Sequence, residues 1–101
     1  MTQQNLTPPA EGECDHMRAV SPQAAPADLV CPACVEAGST WFHLRQCLTC
    51  GQVGCCDQSP LKHATAHFHE TSHPVIRSIQ PGEDWRWCYV DEMVAWSGGN
   101  P

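Results

Sequence analysis

A chain of 101 residues with a formal charge of −6, eight cysteines and six histidines has room for one domain and a thin core, so it needs disulfides or metal as staples. Its five basic side chains, Arg18, Arg45, Lys62, Arg77 and Arg86, do not cluster, which excludes the basic patch that phosphate binding requires and sets nucleic acid aside as a partner. No stretch has the length of a membrane-crossing helix, and the opening MTQQNLTPPAEGEC lacks both the charge and the apolar run of a signal peptide; the expectation is a cytoplasmic monomer whose cysteines stay reduced and free for metal.

Residues 1–13 are polar, contain proline and show no periodicity, and they read as a disordered tail. The folded domain is expected over 14–96, with 97–101 (SGGNP) as a frayed end. Residues 21–28 (SPQAAPAD) read as a loop. Residues 41–46 (WFHLRQ) read as a strand leading into Cys47, and CLTCG as a tight turn in which Gly51 supplies the unusual backbone angles. QVGC returns as a short strand. Ser59-Pro60 has the N-cap and first-position signature of a helix, expected to run to about Glu70 and to be stopped by Pro74. VIRSI alternates as a strand, PGED is a turn, WRWCYV is another strand, and DEMVAW adds a helical turn. The expected class is α+β: a short antiparallel sheet with one main helix.

The candidate ligands fall in order as Cys14 and His16, the pair Cys31 and Cys34, the pair Cys47 and Cys50, then Cys55 beside Cys56, His63, His67, His73 and Cys88. Two CxxC pairs are a strong zinc signal, because two intervening residues let one turn aim both sulfurs at one tetrahedral ion. Four cysteines alone do not complete two sites. His63 and His67, at i and i+4 on one helix face, and His73 just beyond the helix offer the remainder. His43 and His69 read as ordinary surface or loop histidines. A thioredoxin-like redox pair needs one CxxC near a βαβ pattern, which is absent. A zinc hydrolase of the HExxH type needs Glu directly after the first histidine, and Ala64 stands there, so no catalytic residue is expected.

The run C14-D-H16, C31-P-A-C34, C47-L-T-C50-G-Q-V-G-C55, H63-A-T-A-H67, H73-P-V and W87-C88-Y89 resembles the ubiquitin-specific-protease-type zinc finger, and looks like its short stand-alone bacterial form. The resemblance spans Cys14 to about Asp91 and implies a cross-braced fold. It implies one zinc held by Cys31, Cys34, Cys55 and His63, and a second held by Cys47, Cys50, His67 and His73. Members with three zinc ions build a third site to which Cys14, His16 and Cys88 correspond, and here Asp91 stands where they have cysteine. Aspartate also ligates zinc. Family spacing selects Cys55 over Cys56, which is left as a free thiol or small buried hydrophobe.

In the eukaryotic members the finger binds the free C-terminal Gly-Gly of ubiquitin between aromatic rings, and Trp87 and Tyr89 correspond to those rings. The arginine that helps hold the peptide there has no counterpart, because Cys56-Asp57-Gln58 occupies that stretch and Asp57 would repel a carboxylate. On an alternating strand Trp85, Trp87 and Tyr89 share one face; core packing is the reading for Trp85, and a peptide groove for Trp87 and Tyr89. Two functions follow. One is a zinc-bound interaction module for a protein C-terminus or ubiquitin-like peptide. The other is a purely structural or regulatory zinc module that binds neither.

Overall fold

The computed structural model describes residues 10–12, 14–21 and 23–96. The expectations for residues 1–9, 13 and 97–101 lie outside them. Three helices, α1 (Asp15–Ala19), α2 (Pro32–Ala37) and α3 (His63–Thr71), accompany six strands: β1 (Ala10–Glu11), β2 (Leu44–Cys47), β3 (Val53–Cys55), β4 (Val75–Ser78), β5 (Trp85–Cys88) and β6 (Met93–Trp96). One sheet holds all six in the order β1-β6-β5-β4-β2-β3. Five strands run antiparallel, and β1 joins parallel to β6. The class is α+β, with α3 the longest helix. No described helix is long and apolar enough to cross a membrane.

Three sequence expectations are corrected. Ala10–Glu11, assigned to the tail, pair with Met93 and Val94. DEMVAW forms no helical turn: Glu92 takes a left-handed conformation (φ 53°), its N–H bonds to the Cys88 carbonyl at 2.8 Å, and this turn sends β6 back along β5. Helix α3 starts at His63 rather than near Pro60. The Ser59 hydroxyl is committed elsewhere, accepting the Phe42 N–H at 2.9 Å. The first N–H of the helix, on His63, instead donates to the Cys55 sulfur at 3.2 Å, so a cysteine sulfur does the work of an N-cap oxygen. Helices α1 and α2, too short for a periodic signal, were not foreseen.

The pairing register sorts the sheet into two faces. Arg45 lies opposite Ser78 and Gly54, Ile76 opposite Cys47 and Trp87, and Trp85 and Trp87 opposite Trp96 and Val94. Directly opposed residues share a face, so these side chains line one surface. Helix α3 packs on the β2–β3 end of it. The other face is covered by α2 beside β3 and α1 beside β5. One buried cluster there contains Cys31, Cys34, Leu44, Val53 and Cys55. A second contains Cys14, Met17, Leu48, Val75, Cys88 and Ala95. Among the described residues, seven of the fifteen buried apolar side chains are cysteines, so the core is largely made of sulfur ligands.

Gly54 sets how closely α3 approaches. A Cβ there would stand 2.7 Å from the Ala64 backbone nitrogen and 2.9 Å from its Cα. Backbone cannot yield as a side-chain tip can. Gly54→Ala is expected to push the start of α3 off β3 and destabilise the zinc-loaded protein by about 1–3 kcal/mol, measured by urea unfolding at fixed free zinc. An unchanged midpoint would show that the approach is looser than these distances require.

Candidate metal centres and an aromatic cleft

Among the described residues three groups of side chains converge, each with its candidate ligand atoms within 4.8 Å of one another: Cys31, Cys34, Cys55 and His63; Cys47, Cys50, His67 and His73; and Cys14, His16, Cys88 and Asp91. Local folding explains each. Cys31 caps α2, whose first residue is Pro32, so one turn presents both Cys31 and Cys34. In the β2–β3 turn the Gly51 N–H returns to the Cys47 carbonyl at 2.8 Å, with Gly51 at φ 84°, which folds Cys50 back beside Cys47. Helix α3 gives His63 to the first group and His67 to the second, one turn further on, and so braces the two together.

The spacings discriminate among the groups. A tetrahedral ion at ordinary Zn–S and Zn–N lengths separates sulfur pairs by about 3.8 Å and sulfur–nitrogen pairs by about 3.6 Å. In the first group Cys34 and Cys55 sulfurs lie 3.7 Å apart, and His63 Nδ1 lies 3.3, 3.3 and 3.6 Å from Cys31, Cys34 and Cys55. In the second, Cys47 is 3.5 Å from His73 Nδ1 and Cys50 is 3.4 Å from His67 Nε2. These are the edges of a tetrahedron, and the donor sets suit zinc. The third group differs. His16 Nδ1 and Asp91 Oδ2 are 2.7 Å apart, a hydrogen bond rather than the about 3.4 Å edge of a shared ion, while Cys88 lies 3.7 Å from the same oxygen.

The electrostatics agree with metal binding. Burial, with the neighbouring Cys31 and Cys55, pushes the Cys34 thiol up to about 12. Several thiolates cannot share a buried site unless a cation compensates them. Burial likewise raises the Cys50 and Cys88 thiols. Burial and the adjacent His73 lower His67, favouring the neutral imidazole that coordinates metal. The hydrogen bond from His16 holds the Asp91 carboxyl below its ordinary range. Cys56 lies outside all three groups. It is buried, 3.6 Å from the Ser59 hydroxyl and 4.0 Å from His43 Nδ1. His69 is exposed in the last turn of α3.

Beside α3, the same sheet face forms a cleft of about 430 Å³ lined by Trp85, Trp87, Tyr89 and Trp96, with Ile76 and Val94 in the floor and Arg45 and Asp57 as its charged groups. Its volume is that of an ordinary ligand pocket. Tyr89 is pinned to α3: its ring stacks on Phe68 at 4.6 Å and its hydroxyl lies 3.1 Å from Thr65 Oγ1, which in turn donates to Asp57. Trp85, assigned to the core from sequence, lines the cleft with Trp87 and Tyr89. Arg45 and Trp96 were missed. Reading the C-terminal segment as a strand would have placed Trp96 on this face; nothing local to WFHLRQ marks Arg45.

The family model described as "Zn-finger in ubiquitin-hydrolases and other protein" matches residues 31–95, more than half of the chain. Among solved structures, the solution NMR structure of protein RPA1320 from Rhodopseudomonas palustris is similar, with a TM-score of 0.73 and 52% identity over 82% of this chain and 80% of that one. The chain is 36% identical over 60 residues to the NAD-dependent deacetylase sir2A of Dictyostelium discoideum, covering 59% of this chain and 10% of that protein. It is 37% identical over 49 residues to ubiquitin carboxyl-terminal hydrolase 14 of Schizosaccharomyces pombe, covering 48% of this chain and 6% of that protein. It thus spans a tenth or less of the length of both these curated relatives. With cysteine and histidine groups spaced for zinc, the chain belongs to the zinc-finger family found in ubiquitin hydrolases and other proteins.

Proposed function

We propose that this zinc finger is a non-catalytic interaction module, acting in a reducing compartment, whose aromatic cleft takes up the C-terminal end of a partner protein or a ubiquitin-like peptide. The cleft carries this reading. Trp85, Trp87, Tyr89 and Trp96 line it, and aromatic rings around a pocket of this size provide binding area at small entropic cost. The family's occurrence in ubiquitin hydrolases supports the class of partner. Trp87 and Tyr89 are the peptide-contacting residues in this reading. Asp57 favours the competing reading of a purely structural module, because it puts a negative charge in the cleft lining, which repels an incoming carboxylate.

In the same proposal, Cys31, Cys34, Cys55 and His63 hold one zinc, and Cys47, Cys50, His67 and His73 a second. Cys14, His16, Cys88 and Asp91 hold a third, weaker ion, since His16 and Asp91 must give up their mutual hydrogen bond to admit it. Bound zinc supplies structural free energy: structural ions in finger peptides contribute roughly 10–16 kcal/mol, as much as the whole stability of a typical domain. Prolonged EDTA is therefore expected to abolish the folded circular dichroism spectrum. Stepwise chelation followed by metal analysis should release one equivalent ahead of two others. Asp91→Ala should lose only that early equivalent, and His63→Ala should unfold the chain at ambient temperature. Three equivalents of equal affinity would overturn the ranking.

Peptide capture is tested by NMR titration of the zinc-loaded protein with ubiquitin and with peptides ending in a free Gly-Gly. Shifts should centre on Trp87 and Tyr89 and vanish when the peptide C-terminus is amidated. Trp87→Ala should weaken binding by roughly tenfold or more with zinc content unchanged. No shift at high ligand excess would leave the structural module as the function.

A further inference from the structure

Among the described residues lining the cleft, Arg45 carries the only positive charge. It comes from β2, in the sheet floor. Its guanidinium lies over the Trp85 ring, 4.6 Å from the centroid, and its side chain is only 13% exposed. Every hydrogen bond it makes uses one nitrogen: NH1 donates to the Leu44 carbonyl at 3.0 Å and to the Ser78 hydroxyl at 3.3 Å. The same NH1 stands 3.6 Å from Glu83, too far for a hydrogen bond. The near Glu83 oxygen is already committed, accepting the Ser78 hydroxyl at 2.6 Å. Nε and NH2 carry three N–H groups without a partner among the described residues. Neither nitrogen is among the sealed, unsatisfied atoms, so both remain accessible. A guanidinium stacked on a ring keeps its N–H groups in its own plane, where they can grip a carboxylate bidentately.

A second observation points the same way. Trp96 lies directly opposite Trp85 in the β5–β6 pair, and its indole N–H is buried with no hydrogen-bond partner among the described residues. A buried donor without an acceptor is costly. Trp85 thus stands between two side chains with spare donors, Arg45 over its ring and Trp96 opposite it on β6, while the nearby acceptor Glu83 is already engaged. Asp57 does not contradict this. Thr65 donates to it, which ties it to the α3 side of the cleft.

We propose that Arg45 reads the terminal carboxylate of a peptide ligand, through the Nε and NH2 edge of a guanidinium held over Trp85. The proposal rests on the peptide reading of the cleft and adds to it the group that selects a free acid. It also gives the ligand a direction, with its carboxylate against β2 and the preceding residue between Trp87 and Tyr89. Glu83, 3.6 Å from NH1, lowers the positive potential that the incoming acid meets.

The test uses the zinc-loaded chain and two probes, the Gly-Gly dipeptide and its C-terminal amide. Binding is followed by the shifts of the Trp85 and Trp87 indole N–H and Arg45 Nε–H resonances in wild type, Arg45→Gln, Arg45→Lys and Glu83→Gln. Wild type is expected to prefer the acid by roughly 10- to 100-fold, the range for hydrogen bonds to a charged group. Arg45→Gln should bind acid and amide alike. Arg45→Lys should keep part of the preference, since a point charge replaces the fork. Glu83→Gln should tighten the acid and leave the amide unchanged, which a merely structural Arg45 would not produce. Zinc content and the amide-binding constant serve as controls for intact folding. Preference for the acid surviving in Arg45→Gln would overturn the assignment while leaving the peptide reading standing. Neither probe shifting any cleft resonance in wild type would overturn both.

Discussion

The contact on which the rest depends is the one between the end of β3 and the start of α3. There the Cys55 sulfur accepts the His63 N–H, Gly54 lets the two backbones approach, and both Cys55 and His63 turn into the same metal group. Three demands therefore fall on Gly54, Cys55, His63 and Ala64: a cap for a helix, a tight crossing and a candidate ligand pair. Lys62 takes a left-handed conformation (φ 49°) immediately before the helix. That is an unfavourable angle for a lysine, and the surrounding bonds and ligands hold it. The helix would begin earlier if capping alone decided its start.

The metal also decides whether there is a core. Cysteines form nearly half of the buried apolar side chains in the described residues, and five of them, Cys14, Cys31, Cys34, Cys55 and Cys88, sit in the same clusters as Leu44, Val53, Met17 and Val75. Neutral thiols would pack there as small hydrophobes. They would give little burial per residue and leave the short helices α1 and α2, of five and six residues, without enough tertiary support. A coordinated ion makes the sulfur-rich interior the strongest part of the molecule. It also supplies the charge that lets deprotonated sulfurs remain there, against the burial that pushes Cys34 up to about 12.

The elements legible in the sequence were those with local chemistry. The CxxC turns, the β2–β3 hairpin, β4, β5 and the existence of α3 follow from spacing, alternation and glycine placement. The ligand groupings came from resemblance, and the structure brings the twelve candidate side chains together in those groupings. What failed has a common cause in tertiary context. Ser59 has the composition of a cap, but its hydroxyl is taken by Phe42. The DEMVAW segment lacks a clear period, and its direction is set by the Glu92 turn against Cys88. Arg45 lies forty residues before Trp85, and no local pattern marks a cation that will end up over that ring.

The same economy links metal to cleft. On α3, His63 and His67 face the two metal groups, while Thr65 and Phe68 hold the hydroxyl and ring of Tyr89. On β5, Cys88 faces the third group, while its neighbour Trp87 faces the cleft on the opposite side of the sheet. Each wall of the cleft is thus the reverse side of an element that carries ligands. On the proposed ligand assignment, a helix freed of His63 and His67 coordination would release Tyr89 and Asp57, which Thr65 holds. The floor, built from Arg45, Ile76 and Trp85, depends instead on the β2–β4–β5 pairing. Zinc in this fold orders the helix-side wall of the cleft, and the sheet supplies the fixed charge at its end.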